Sequence, residues 1–393
     1  RDGAAETPRV RVELLDRGKN WVHVTVLDED TGRPVPCRVH FRSPEGVPFQ
    51  PHGHHNHVNS NLDTFNFDLG GDIRIGQITY AYIDGACQGW LPRGEVLVDV
   101  VASALNRADL LQRMGLYPGP QMEHEVPGLE FAGRVSVVGE GVSRWSVGDA
   151  VMGITGGAAH AERLVVHADQ AVRVPVGTSL EVAGALPEVF ITAWDALVLQ
   201  GGLEEGGTAL VHAGASGVGT AAIQLCRMLG ATVVVTASAG KVARCLDLGA
   251  DRAVDYASQD WVSVVAEATG GRGADVVLDV IGGDYLDRNA DALAVGGTIM
   301  QVGLMGGGNA TFGLGKLLVK RARLIGTTLR ARSLEEKVAL SRAFEDRVVP
   351  GFEDGSLQVV VDRRYRLADI AEAHAYMETN ASVGKIALDV ATD

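Results

Sequence analysis

The chain has 393 residues, 46% hydrophobic and 21% charged, which is enough for two or three domains around a substantial buried core. Its formal net charge of −14 opposes approach to nucleic acid or to an anionic membrane surface. No apolar run is long enough to cross a bilayer and residues 1–8 lack a signal-peptide core, so the expectation is a cytoplasmic protein with no membrane partner.

Short alternating segments come first, at 9–14, 21–27, 38–41, 64–69 and 77–83, parted by turn signals such as Asp30-Thr31-Gly32 and Ser43-Pro44-Glu45-Gly46. Period-two alternation with no helical stretch predicts an all-β sandwich-like region over residues 1–93. Inside it lies His52-Gly53-His54-His55-Asn56-His57. Histidine tracts can take transition metals, but this one has no carboxylate or cysteine, so a solvated loop is expected and metal binding is the alternative. The four cysteines, Cys37, Cys87, Cys226 and Cys245, form no CxxC pair, which argues against a zinc ribbon or a disulfide scaffold. Cys226 and Cys245 read as buried helix residues. Cys37 and Cys87 read as free thiols, with a bridge as the alternative.

After residues 90–94 the pattern changes. A strand at 95–102 leads into an amphipathic helix near 106–114, then short β segments at 134–138, 150–152, 161–166 and 171–173. From residue 186 strands and helices alternate: strand 208–212, helix 218–229, strand 232–236, helix 241–248, strand 252–255, helix 262–268, strand 275–279, helix 285–293 and strand 298–302. A helix at 367–377 and a strand at 385–390 end the pattern. Apolar strands alternating with helices predict an α/β fold with a doubly wound parallel sheet.

Strand 208–212 runs into Gly214-Ala215-Ser216-Gly217-Val218-Gly219, and a helix follows. In that context a glycine turn holds the pyrophosphate of a dinucleotide. Gly214 permits the tight turn, Ser216 stands where a glycine usually lets the backbone approach the pyrophosphate, and Gly219 allows close helix–strand packing. Gly217 and Val218 complete the turn, and the N-terminus of the helix that follows offers free N–H groups and a positive dipole end. A purely structural turn is the alternative. The second strand then leads into Thr236-Ala237-Ser238-Ala239-Gly240-Lys241. An NAD site puts an acid about twenty residues after the turn, and none is present. Ser238 and Lys241 instead suit a 2′-phosphate, so the expected cofactor is NADPH; a merely solvated Lys241 is the alternative.

Four blocks extend this reading: residues 102–109 (ASALNRAD), residues 212–225 (HAGASGVGTAAIQL), residues 303–308 (GLMGGG) and residues 372–378 (EAHAYME). Through them residues 94–390 resemble the zinc-independent quinone oxidoreductases of the medium-chain dehydrogenase/reductase superfamily. The resemblance implies a GroES-like β-rich catalytic domain over residues 94–185 and 329–393, a Rossmann NADPH-binding domain over 186–328, and a cofactor in the cleft between them. It implies that Tyr256 joins Ser238 and Lys241 around the adenosine phosphate. Gly303, Leu304, Met305, Leu329 and Arg330 would border the nicotinamide, and Thr192 would touch it. A homodimer through the Rossmann sheet edge, residues 323–328, is also implied. Zinc-dependent relatives carry Gly-His-Glu where this chain has Gly128-Leu129-Glu130, and no cysteine lies in residues 94–187. A catalytic zinc takes about three protein ligands, so no metal is expected.

The implied substrate is a small quinone or enone, and its reduction needs a positioned hydride and a proton. Asn106 is a candidate hydrogen-bond donor to a carbonyl oxygen, Tyr117 a candidate proton donor, and Asp109 a candidate to orient Asn106. Structural roles are open to all three: Asn106 as a helix N-cap, Asp109 as its N3 partner, Tyr117 as packing for Pro118-Gly119-Pro120. His374 reads as structural. An enoyl-thioester reductase is an alternative function, and so is a scaffold that binds NADPH without turnover. Family members begin with a β-hairpin that is not recognisable here; Thr31-Gly32-Arg33-Pro34-Val35-Pro36 instead resembles a turn of transthyretin-like or carboxypeptidase-regulatory-like sandwiches. The replaced hairpin implies weakened turnover.

Overall fold

The computed structural model describes eight strands by their backbone before residue 93, and residues 93–117, 119 and 126–390 with their side chains. The eight are β1 (Val10–Leu14), β2 (Trp21–Val26), β3 (Cys37–Val39), β4 (Phe41–Arg42), β5 (Pro48–Phe49), β6 (Asp72–Ile75), β7 (Ile78–Ile83) and β8 (Ala86–Trp90). They pair antiparallel in the orders β1-β2-β8, β3-β7-β6 and β4-β5. The expected strand at 64–69, the histidine tract at 52–57 and the side chains of Cys37 and Cys87 lie outside the described residues.

The chain continues through β9 (Glu95–Leu105), α1 (Arg107–Arg113), β10 (Glu130–Val138), β11 (Ala150–Ile154), β12 (Arg163–His167) and β13 (Val172–Arg173). Short α2 (Leu180–Ala183) precedes α3 (Pro187–Trp194), which runs into a π-helical stretch, Asp195–Gln200. There follow β14 (Thr208–Val211), α4 (Gly217–Met228), β15 (Thr232–Ala237), α5 (Ala239–Asp247), β16 (Arg252–Asp255), α6 (Trp261–Ala268), β17 (Ala274–Asp279), α7 (Tyr285–Ala292) and β18 (Leu293–Gln301). Then come α8 (Leu314–Lys320), β19 (Arg323–Gly326), α9 (Leu334–Arg347), α10 (Val349–Glu353), β20 (Val361–Arg366), α11 (Ile370–Glu378) and β21 (Lys385–Asp389).

One sheet runs β13-β11-β10-β9-β21-β20, with β12 also paired to β9. β9 alternates buried and partly exposed residues at its start and is buried throughout residues 102–105. There its second face is covered by the end of α2, where a Cβ on Gly184 would lie 2.6 Å from the Ala102 carbonyl carbon. The other sheet is parallel throughout, in the order β16-β15-β14-β17-β18-β19. Its strand order reverses between β14 and β17, and ligands of such sheets bind at the carboxyl ends beside that reversal. β18 starts at Leu293, earlier than the expected 298, because Leu293 already pairs with Ala274 before the register shifts. Gly296 and Gly297 break the apolar pattern there and hide the strand's first half from the sequence.

Candidate active site

β14 ends at the glycine turn, and the Gly214 N–H donates to Thr236 O of β15 at 2.8 Å. A Cβ on Gly214 would lie 2.6 Å from Val235 Cβ, and one on Gly219 would lie 2.3 Å from Ala213 O. Both positions therefore exclude a side chain. Ser216 is the N-cap of α4, its Oγ accepting from the Gly219 N–H at 3.0 Å. That bond gives serine a capping use at a place where glycine was expected. The turn also docks on the start of β21: Gly384 N–H donates to Ala215 O at 2.9 Å, and a Cβ on Gly217 would meet Lys385 Cδ at 2.8 Å. Beneath the turn, buried His212 bonds Thr236 Oγ1 at 2.9 Å and Asn289 Oδ1 at 2.7 Å. Asn289 donates to Asp279 Oδ2 at 2.9 Å, and Asp279 Oδ1 accepts the N–H groups of Ile281 and Gly282. This chain ties together the carboxyl ends of β14, β15 and β17, where the sheet order reverses. Burial pushes the His212 imidazole below its usual range, which keeps it neutral.

A cleft of about 470 Å³ opens at these strand ends, bounded by the turn, α1 and the loop before β21. Of the expected cofactor residues it is lined by Ser216, Gly217, Val218, Ser238, Lys241, Tyr256 and Met305; of the expected catalytic residues only Asn106 lines it. Gly214 and Gly219 shape the turn from behind. Among the described residues three cations line the cleft, Arg107, Lys241 and Lys385, and no Asp or Glu does. In a chain of net charge −14 that local balance favours an anionic ligand. Lys241 Nζ donates to the carbonyls of Asn380 and Ser382, both at 2.7 Å, and burial lowers its pKa. Arg107 donates to Asn380 Oδ1 and Met377 O, and burial lowers its pKa too.

Asn106 does not present a free amide. Its Nδ2 donates to Glu130 Oε1 at 3.0 Å and its Oδ1 accepts from Lys385 Nζ at 2.6 Å. Lys385 also donates to Leu105 O at 2.8 Å and pairs with Glu130 Oε1 at 2.7 Å, the two side chains being 3% and 0% exposed. Glu130 Oε2 accepts the Glu188 N–H at 3.0 Å. Asp109 is buried away from the cleft lining; its Oδ2 accepts the Asn106 N–H at 2.6 Å and its Oδ1 the Gly128 N–H at 3.2 Å. Tyr117 does not line the cleft either. Its carbonyl accepts from Arg330, and burial, then Glu188, pushes its hydroxyl up to about 12.

Arg330 is buried and donates from Nε to Gly156 O at 2.9 Å. Leu329 is buried, Thr192 is half-buried on α3, and Gly303 sits just after β18. Leu304 is exposed beside the cleft-lining Met305. Arg107, Asn380, Ser382 and Lys385 also line the cleft, and Glu130 pairs with Lys385 behind it; the sequence alone assigns none of them a role. The only sequence signal for Lys385 was its place after Gly384 at the head of an apolar strand.

The described residues do not fit a metal here. Leu129 offers no donor, and Glu130 is occupied on both oxygens by Lys385, Asn106 and Glu188. Among the described residues no group of three or more His, Cys, Asp or Glu is placed to hold a metal ion.

Residues 92–199 match the family model of the alcohol dehydrogenase GroES-like domain, and residues 217–345 that of the zinc-binding dehydrogenases. A putative inactive phenolphthiocerol synthesis polyketide synthase of Mycobacterium tuberculosis is 39% identical over 220 residues, 55% of this chain and 13% of that relative. The chain thus spans about an eighth of that relative's length. Among solved structures, a mycobacterial quinone oxidoreductase is 32% identical with a TM-score of 0.66, covering 76% of this chain and 92% of its own. The Escherichia coli quinone oxidoreductase complexed with NADPH is 29% identical, with a TM-score of 0.68 and the same 76% and 92% coverage. The CurK enoyl reductase is 27% identical at a TM-score of 0.66, again with 76% and 92% covered.

Proposed function

The chain belongs to the medium-chain dehydrogenase/reductase superfamily, with GroES-like and Rossmann-type parts, and on that premise we propose an NADPH-dependent, zinc-free reductase of quinones or conjugated carbonyl compounds. The observation that carries this reading is the cleft itself: among its described lining residues Arg107 and Lys241 stand, with no Asp or Glu, around a helix N-terminus that glycine leaves open. When bound, NADPH supplies the hydride. The Gly217 end of α4 receives the pyrophosphate, and Ser238, Lys241 and Tyr256 receive the 2′-phosphate. Lys241 has one N–H left for it beyond its two carbonyl bonds. Thr192, Gly303, Leu304, Met305, Leu329 and Arg330 border the nicotinamide. The catalytic part takes residues 94–185 and 329–393, and the nucleotide part 186–328. Asn106 and Asp109 act as positioning residues, Asn106 for Lys385 and Asp109 for the start of α1.

The similarity to an enoyl reductase and to a polyketide synthase favours a second reading, reduction of an enoyl thioester. NADPH oxidation measured with a small quinone panel and with a crotonyl thioester separates the two. Tight NADPH binding with neither substrate oxidising it supports the scaffold reading and sinks both. The replaced hairpin lowers turnover in this proposal, and a normal turnover number on a simple quinone overturns that part. Homodimer formation through β19 is part of the same proposal. β19 is the sheet edge, Leu324 on it is 44% exposed, and Leu314, Leu318 and Val319 of α8 are 71%, 80% and 79% exposed. Sedimentation of Leu318→Asp as a monomer beside a dimeric parent tests it. No helix among the described residues is long and apolar enough to cross a membrane; a cytoplasmic site of action is part of the proposal.

A further inference from the structure

Arg107 opens α1, and a cation there works against the positive end of the helix dipole, whereas Arg113 in the last turn suits it. Helix stability therefore does not account for Arg107, and its contacts do. Its Nη2 donates to Met377 O at 3.3 Å and to Asn380 Oδ1, at the end of α11 and just beyond it. Lys241 of α5 reaches the same segment, donating to Asn380 O and Ser382 O, both at 2.7 Å. Asn380 thus holds one cation on its side chain and another on its carbonyl. It does so at φ 56°, in the left-handed region that asparagine tolerates. Arg107, Lys241, Met377, Asn380 and Ser382 all line the cleft. The two cations repel each other, and neither is hydrogen-bonded to an acid. Asp362 has both oxygens engaged, by the Tyr376 hydroxyl at 2.8 Å and the Val383 N–H at 3.1 Å, and Glu378 pairs with Arg113 at 2.6 Å. Among the described residues Arg107 keeps its Nε–H and both Nη1 protons unspent, and Lys241 keeps one N–H.

We propose that Arg107 is the second cation of the 2′-phosphate site, brought to it from α1 and held beside Lys241 by Asn380. The inference rests on the NADPH reading and adds to it a residue that sets the choice of cofactor. A phosphomonoester carries close to two negative charges and three acceptor oxygens at pH 7, which matches two cations with spare N–H groups and no acid beside them. A ribose 2′-hydroxyl matches neither. The planar guanidinium fork takes two phosphate oxygens at once, where the ammonium of Lys241 acts as a point charge. Ser238 and Lys241 come from the parallel sheet's side of the cleft, at the junction of β15 and α5. Arg107 comes from the helix that follows β9 of the other sheet, so the 2′-phosphate ties the two parts together. NADH leaves that tie unmade.

The test titrates the parent, Arg107→Gln and Arg107→Lys with NADPH and NADH by nicotinamide fluorescence, and with 2′,5′-ADP and 5′-AMP by calorimetry. Glutamine removes the charge and keeps an N–H for Asn380, so the segment stays tied. Arg107→Gln is expected to weaken NADPH and 2′,5′-ADP by roughly 10–100-fold, the worth of charge-assisted bonds, and to leave NADH and 5′-AMP within about threefold. Arg107→Lys keeps the charge without the fork and recovers part of that loss. A second measurement leaves Arg107 in place: the phosphorus NMR titration of the 2′-phosphate of bound NADPH. Its second ionisation, about 6 when free, should lie roughly a unit or more lower in the parent, and still below the free value in Lys241→Ala, where Arg107 remains. Equal losses of NADPH and NADH in Arg107→Gln mark a structural strut and overturn the proposal. An unchanged NADPH affinity in that variant, or a 2′-phosphate that titrates as if free in Lys241→Ala, overturns it too. A parent that binds 2′,5′-ADP no better than 5′-AMP overturns it together with the choice of NADPH. A parent that binds no nucleotide instead sinks the reductase reading, and the role of Arg107 falls with it.

Discussion

Lys385→Met should destabilise the protein by about 3–5 kcal/mol, the cost of breaking a buried ion pair from one side. Lys385 is 3% exposed and Glu130 0%, and they meet at 2.7 Å. Methionine keeps an unbranched stem against Gly217, so the packing there survives while the charge goes. Glu130 then stays buried as an anion with only the Asn106 amide and the Glu188 N–H to answer it. Glu130→Gln strands Lys385 in the same way. The double variant removes both charges and should lose no more than about 2 kcal/mol, because the uncompensated ion is the main cost of each single change. Denaturant unfolding of all four proteins, followed by tryptophan fluorescence, gives the coupling energy. Trp194 and Trp261 are both buried and report the loss of the fold. Singles that each cost under about 1 kcal/mol, or a double equal to their sum, would falsify the account of a coupled buried pair.

Lys241→Ala should weaken NADPH roughly 10–100-fold, the worth of a charge-assisted bond, and NADH far less; equal losses by titration remove the case for a 2′-phosphate contact. Gly219→Ala puts a methyl 2.3 Å from Ala213 O, so NADPH affinity should fall at least about tenfold, because a closed turn cannot approach the pyrophosphate. Gly240→Ala, with nothing within 4 Å on the exposed side of α5, should leave affinity alone and stabilise by roughly 0.5–1 kcal/mol; the opposite ranking would contradict the geometry. Glu188 predicts a pH effect on stability, since its folded pKa of about 8 lies above the usual 4.5. As pH rises past 4.5 the unfolded chain ionises this group while the folded chain keeps its proton, so the parent loses stability relative to Glu188→Gln until about pH 8. A stability difference that stays flat from pH 4 to 9 would show an ordinary carboxylate.

The parallel sheet was legible because each strand is an apolar run followed by an amphipathic helix, and the glycine turn sits where β14 meets α4. α9 was readable too, from Ser333-Leu334-Glu335-Glu336, whose capping box forms with Glu336 N–H on Ser333 Oγ at 3.3 Å. The Lys385–Glu130–Asn106 network was not legible, because its members are separated by up to 279 residues and meet only through sheet pairing. Asn106 shows the limit most clearly. It is the N-cap of α1, as its type and position suggest, with Asp109 as the N3 partner, but its side-chain amide serves a buried ion pair and no substrate contact. Glu130 was noticed only for the histidine missing beside it, since a lone acid in an apolar strand says nothing about the lysine that will face it.

β21 lies beside β9 although some 280 residues of chain separate Leu105 from Lys385. In a chain synthesised from its N-terminus, the parallel sheet can form while β9 still lacks this neighbour. The cleft gains its third cation and the wall around Asn380 only when that late strand docks. A nucleotide that binds the finished cleft and not the half-built one therefore draws the population toward fully closed molecules by mass action. If the proposed cofactor is the nucleotide, its supply favours folding as well as reaction.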